Sequence, residues 1–195
     1  MIKNHLSLFS GIGGSDIAVK YLIGGYRTIG FVEYEKYPQD VIRQRQTDGL
    51  LDIAPIFGDI RQFNQEYAEA YTGMVDLITA GFPCQPFSVA GKQQGEDDAR
   101  NMWPATLECI KIVKPRYAFL ENVPGLLSAK VTRQVESEFG DMGELTDVSV
   151  PYIGTILGQL SEAGYDSKWA VIGADDVGAR HRRKRLWILA YSVMC

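Results

Sequence analysis

Four places in the chain carry side chains whose type and setting suit chemistry. The first is Cys84, in Gly81-Phe82-Pro83-Cys84-Gln85-Pro86-Phe87-Ser88. It follows Val75-Asp76-Leu77-Ile78-Thr79-Ala80, a short apolar run suited to a buried strand, and the two prolines hold the backbone extended on either side of the thiol. An isolated cysteine is most often a buried apolar residue. A cysteine held on a stiff loop at the carboxyl end of a strand is instead where an α/β protein places a nucleophile. The second is Glu121, directly after the apolar run Tyr117-Ala118-Phe119-Leu120, which sets a carboxylate at the rim where such sheets bind ligands. The third is Arg180-His181-Arg182-Arg183-Lys184-Arg185, five cations in six residues. Such a run is commonly a solvated face, and otherwise a local anion site. The fourth is Glu33, at the end of Thr28-Ile29-Gly30-Phe31-Val32-Glu33 and 22 residues after Gly11. An acid at that distance from a glycine turn can accept both hydroxyls of a ribose, although a solvated strand-end glutamate has the same appearance.

These groups need a frame. Leu6-Ser7-Leu8-Phe9 reads as the first strand and Ser10-Gly11-Ile12-Gly13-Gly14 as a glycine turn. Ser15 or Asp16 is expected to cap a helix that carries Ile17, Ala18, Tyr21 and Leu22 at helical spacing. Strand, glycine loop and helix together let backbone N–H groups approach a ligand closely. Asp16 stands where the dinucleotide fingerprint needs its third glycine, which disfavours NAD. A helix is expected over Pro38 to Arg45, stopping near Gly49, and Gly58-Asp59-Ile60 reads as a turn after Ile56-Phe57. Gly95 to Asn101 is polar. Helical spacing resumes from Met102 to Val113, ahead of Pro115, and again from Ile153 to Ala163, ahead of Gly164. Trp169 to Ile172 and Leu186 to Ala190 read as the last strands, and residues 129 to 154 as loop with some helix.

Composition narrows the class. At 195 residues, 46% hydrophobic and 23% charged, the chain suits one globular domain, residues 1–195, with its own core. No apolar run reaches the roughly 18 residues of a membrane span, and the first residues lack the shape of a signal peptide, so a cytoplasmic protein is expected. Cys84, Cys109 and Cys195 are widely spaced without Cys-x-x-Cys, and the only histidines are His5 and His181. Neither a disulfide framework nor a metal site is expected. A net charge of −4 means that any nucleic-acid contact must come from a local patch such as residues 180 to 185.

Pro83-Cys84-Gln85, Gly58-Asp59-Ile60, Glu121-Asn122-Val123-Pro124-Gly125 and the arginines Arg183 and Arg185 fall in one order along residues 6 to 190. In that order the chain resembles the catalytic domain of DNA cytosine-5 methyltransferases. The resemblance implies an α/β fold, a Rossmann-like S-adenosylmethionine-dependent methyltransferase sheet with helices on both faces. It implies S-adenosylmethionine as cofactor, held by Phe9, Ser10, Gly11, Ile12, Gly13, Gly14, Glu33 on the ribose, Tyr34 on the adenine, Asp59, Ile60 and Pro83. It assigns Cys84, Glu121, Arg183 and Arg185 to catalysis. Double-stranded DNA is the implied partner, contacted by Gln85, Ser88, Arg100, Arg183 and Arg185. His181 stands where the family carries glutamine. The family continues past this point into a target-recognition domain and closing motifs, which the chain is expected to lack, so a fragment or a second polypeptide supplying them is also implied.

The mechanism implied by the resemblance starts with the Cys84 thiolate adding to C6 of an extruded cytosine. A free thiol with a pKa of about 8.5 is only slightly ionised at neutral pH, so Arg183 and Arg185 are candidate sources of assistance. Glu121 at N3 and Arg185 at O2 would stabilise the charge pushed into the ring. Base extrusion costs on the order of a few kcal/mol. Three other readings compete. A cysteine hydrolase needs a histidine base, and the chain has only His5 and His181 to offer. A tRNA cytosine-5 methyltransferase would share the motifs and the chemistry. A non-catalytic subunit that binds cofactor or DNA would not need Cys84, Glu121 and the arginine pair intact.

Overall fold

The computed structural model describes residues 2–83, 101–136 and 145–193. Its centre is a seven-stranded sheet in the order β3-β2-β1-β4-β5-β9-β8. The strands are β1 (Lys3–Leu8), β2 (Tyr26–Val32), β3 (Ile56–Phe57), β4 (Leu77–Ala80), β5 (Tyr117–Asn122), β8 (Tyr165–Gly173) and β9 (Lys184–Ser192). The first five run parallel, and β9 is antiparallel to both β5 and β8. From β1 the chain moves outward through β2 and β3, then returns to β4 on the other side of β1. The carboxyl ends of β1 and β4 therefore flank the crevice in which open α/β sheets bind ligands.

Period-2 alternation sorts the core. Val32 belongs to the larger buried cluster, with Leu6, Leu8, Ile78, Leu120 and Ile188 from the sheet, Phe63 of α3 (Ile60–Glu66), Ile110 and Val113 of α4 (Trp103–Val113), and Ile156 and Leu160 of α5 (Tyr152–Glu162). Its neighbour Phe31 belongs to a separate cluster with Ile42 of α2 (Lys36–Thr47), Leu51 and Ile17 of α1 (Gly14–Ile17). Adjacent strand residues point to opposite faces, so helices cover the sheet on both sides, as expected. Over β5, β9 and β8 the second face is more open: Phe119 and Trp187 stack at 5.1 Å, and Trp169 is 48% exposed.

Helix ends follow their local chemistry. Asp59 caps α3 by accepting from the Arg61 backbone N–H at 2.8 Å. Pro104 occupies the first turn of α4, and Lys114 in the left-handed region, just before Pro115, ends it. No described helix is long and apolar enough to cross a membrane.

Four expectations are corrected. Neither Ser15 nor Asp16 caps α1: the cap position is Gly13, at φ 83°, and Asp16 points inward, fully buried. The helix continues as a π-helical segment, Ala18–Ile23, that buries Val19 and leaves Tyr21 and Leu22 exposed, so those two were not the core face. Glu121 lies inside β5, opposite Trp187, rather than beyond the strand. β6 (Lys130–Glu136) and β7 (Leu145–Pro151) pair antiparallel, where loop with some helix was expected. Cross-strand pairing supplies the order there, which polar composition hides.

Candidate active site

The glycine loop leaves β1 through Phe9, a non-glycine residue held at φ 51°. That conformation costs on the order of 1–2 kcal/mol and persists only where its surroundings determine it. Several contacts do so. The Ser10 hydroxyl donates to the Ser7 carbonyl at 3.1 Å, and the Arg45 guanidinium donates to the Ile12 carbonyl at 2.5 Å. Gly13 packs so closely on Leu51 that an added Cβ would fall 2.7 Å from Leu51 Cδ1. Opposite the loop, Glu33 is buried at the end of β2. Its Oε2 accepts from the Gly11 N–H at 2.7 Å and its Oε1 from the Glu35 N–H at 2.8 Å. A carboxylate offers about four acceptor positions, so roughly two remain open for hydroxyl donors.

Beside Glu33 lies a cavity of about 480 Å³. Phe9, Glu33, Tyr34, Asp59, Ile60 and Pro83, drawn from four separate stretches of sequence, all line it. This polar-and-apolar wall, with a buried carboxylate and an exposed aromatic ring at Tyr34, fits a nucleoside-sized group. Ser10, Gly11, Ile12, Gly13 and Gly14 are not in its wall; Ser10 and Gly13 are buried and Ile12 is half exposed. Sequence reasoning missed Val32, Glu35, Gly58, Arg61, Gly81 and Met102. Val32, Glu35, Gly58 and Arg61 adjoin residues already singled out, a usable signal. Gly81 was noted only as a flank of the cysteine loop, and Met102 had no signal, because α4 reaches the site only through tertiary packing. A wider groove of about 790 Å³ adjoins on the α4 side, sharing Arg61 and Met102.

A second group of residues meets at the carboxyl ends of β4 and β5. Arg185 Nε lies 2.5 Å from Glu121 Oε1, joining β9 to β5. Both side chains are partly shielded from solvent, so the pair is screened less than an open surface pair. Gly81 is pressed against the same carboxylate: a Cβ there would sit 3.3 Å from Glu121 Oε2. Asn122, not singled out from the sequence, is buried and donates through Nδ2 to the Phe82 carbonyl at 3.2 Å, while its Oδ1 accepts from the Val123 N–H at 2.8 Å. It thereby anchors the backbone two residues before Cys84. Its position in Glu121-Asn122-Val123 was the available signal.

The two arginines expected to act together line one open groove with Pro124, His181, Arg182 and Lys184, but their settings differ: Arg185 lies in β9 and pairs with Glu121, whereas Arg183 precedes the strand and is exposed. Cys84, Gln85, Ser88 and Arg100 lie outside the described residues. Cys109, the described cysteine, is buried in α4, and burial pushes its thiol up to about 12, so it is inert as a nucleophile.

Comparison with known proteins agrees with this geometry. Residues 4–193 match the family described as C-5 cytosine-specific DNA methylase. The chain is 30% identical over 185 residues to type II methyltransferase M.NgoMIV of Neisseria gonorrhoeae, covering 95% of this chain and 50% of that protein. It is 31% identical over 196 residues to type II methyltransferase M.AquIA of Picosynechococcus sp., covering 97% of this chain and 72% of that protein. Among solved structures, a DNMT2 variant of Spodoptera frugiperda superposes with a TM-score of 0.70 at 20% identity, over 97% of this chain and 50% of that one. A putative DNA modification methyltransferase from an Escherichia coli prophage superposes with a TM-score of 0.67 at 20% identity, over 97% and 47%. At that identity the superpositions speak to fold alone, and they bear out the Rossmann-like sheet. The chain spans about half the length of most of these proteins. With a family match over nearly its whole length, the chain belongs to the C-5 cytosine-specific DNA methylase family.

Proposed function

We propose that this chain carries the cofactor site and the covalent chemistry of a DNA cytosine-5 methyltransferase. The observation that supports this most is the Glu121–Arg185 pair held against Gly81, three residues before Cys84, with the Glu33 cavity also lined by Gly81 and Pro83. Family membership makes S-adenosylmethionine the methyl donor. Phe9, Glu33, Tyr34, Asp59, Ile60 and Pro83 would hold it, and when bound it supplies an electrophilic sulfonium methyl group.

The chain's own residues then act on the base. The Cys84 thiolate bonds to C6, and the ring's C5–C6 π electrons move toward N3 and O2. Glu121, protonated or hydrogen-bonded at N3, and Arg185 at O2 meet that charge where it develops. Addition at C6 makes C5 nucleophilic toward the methyl group that the bound donor would supply. Loss of the C5 proton and expulsion of Cys84 restore the aromatic ring. Arg183, with the exposed cations around it, is assigned to the phosphate backbone, which positions DNA without reading its sequence. Gln85, Ser88 and Arg100 are assigned to the same acceptor, in the cytoplasm. We assign this chain the methyl-transfer chemistry and not the choice of target sequence.

The test is covalent trapping. Duplex DNA carrying 5-fluorocytosine should form an adduct with the protein in the presence of cofactor, because fluorine cannot leave as the C5 proton does. Cys84→Ala should abolish it. An adduct that persists in Cys84→Ala refutes the assignment, and adducts with tRNA but not DNA refute the choice of acceptor.

A further inference from the structure

Three strands point polar side chains at one place beneath the glycine loop. His5 and Ser7 of β1, Thr28 of β2 and Thr79 of β4 are all buried beside the fully buried Asp16 of α1: Ser7 and Thr28 hydrogen-bond it, His5 Nδ1 lies 3.6 Å from its Oδ1, and Thr79 bonds to the far side of His5. Their hydrogen bonds have a single consistent direction. The Ser7 hydroxyl donates to Asp16 Oδ2 at 3.0 Å, and the Thr28 hydroxyl donates to Asp16 Oδ1 at 3.5 Å. A hydroxyl has one hydrogen, so Thr28 Oγ1 must then accept at its 2.9 Å contact with His5 Nδ1. Burial holds His5 neutral, with its pKa pushed down to about 3, so the ring carries one proton, on Nδ1. Nε2 is left to accept from the Thr79 hydroxyl at 2.8 Å. Every donor in the chain Thr79, His5, Thr28 runs toward the Asp16 carboxylate.

Ser7 and Asp16 also bracket the glycine loop in sequence, so their hydrogen bond closes its base. We propose that Asp16 is a positioning residue for the cofactor site: it staples the glycine loop through Ser7 and sets the tautomer of His5 through Thr28. The inference rests on the reading that this loop serves the cofactor. The charged groups around the cluster are Asp52, which accepts from the Thr28 N–H at 2.9 Å, and Lys20, paired with Asp52 at 3.1 Å. Burial raises the Asp16 carboxyl to about 6, so the carboxylate is ionised at neutral pH and gains a proton below that value. A proton gained on Oδ1 makes that oxygen the donor to Thr28, whose hydroxyl then turns toward Nδ1 and moves the ring proton to Nε2.

The experiment uses the intact chain. Nitrogen-15 NMR of the His5 ring, without cofactor at pH 7.5, should find the Nδ1–H tautomer, converting to Nε2–H as pH falls through about 6. Thr28→Val cuts the chain at nearly constant shape and should abolish the preference for Nδ1–H. Calorimetric titration with S-adenosylhomocysteine should show wild-type binding and about tenfold weaker binding by folded Asp16→Asn, the loss expected for one charge-assisted hydrogen bond. An Nε2–H ring in the wild type at pH 7.5, or an unchanged tautomer in Thr28→Val, overturns the hydrogen-bond chain. Wild-type binding matched by Asp16→Asn overturns the staple alone, whereas no binding by the wild type overturns the cofactor reading as well.

Discussion

The same buried pair predicts how stability changes with pH. His5 is neutral in the folded state with its pKa lowered from 6.5 to about 3 by burial, so the unfolded chain binds the extra proton between those values. Its contribution to stability is present above about 6.5 and is lost as pH falls toward 3. Asp16 works in the opposite sense. Burial raises it from 3.8 to about 6, so the folded state binds the extra proton, and its contribution is full below about 3.8 and lost as pH rises through 6. Each group alone gives a slope of about 1.4 kcal/mol per pH unit. Between pH 4 and 6 the two slopes are opposed and nearly cancel. Asp16→Asn removes one of them. Stability of the variant, relative to wild type, should therefore rise with pH across this window by about 3 kcal/mol in total, about two units at 1.4 kcal/mol each. Urea unfolding at half-unit steps from pH 4 to 7.5 measures it, and the comparison removes the groups common to both proteins. Parallel curves for variant and wild type would refute the buried-pair account.

Three further outcomes follow from the site. Gly13→Ala adds a Cβ 2.7 Å from Leu51 at φ 83°, a conformation costing about 1–2 kcal/mol before the clash, and should weaken cofactor binding in calorimetry. Asn122→Ala leaves the buried Phe82 carbonyl without its donor, at about 1–3 kcal/mol of stability by urea unfolding, and should slow adduct formation with fluorocytosine DNA. Arg183→Gln should weaken DNA binding evenly across sequences and reduce the slope of log K against log salt by about 1, read by fluorescence anisotropy.

Local chemistry determined much of this protein. The apolar runs before Cys84 and Glu121, the glycines after Phe9, Asp59 ahead of its helix and Pro115 after another each act over a few residues, and the strands and helices appear where those signals stand. The motif residues were legible through the family resemblance: Glu33, Asp59 and Pro83 line one cavity, and Glu121 meets Arg185. Tertiary structure decided what depends on strand order. Whether Asp16 caps a helix or is buried among polar side chains depends on β1 lying between β2 and β4, which brings His5, Thr28 and Thr79 to it from up to 63 positions away. The pairing of β6 with β7 rests on cross-strand contacts that a polar stretch does not announce. Arg183 and Arg185 are near neighbours in sequence and equal in charge. Only the antiparallel placement of β9 beside β5 gives one of them a carboxylate and leaves the other exposed, because an ion pair needs two strands in register and one strand's sequence specifies only half of it.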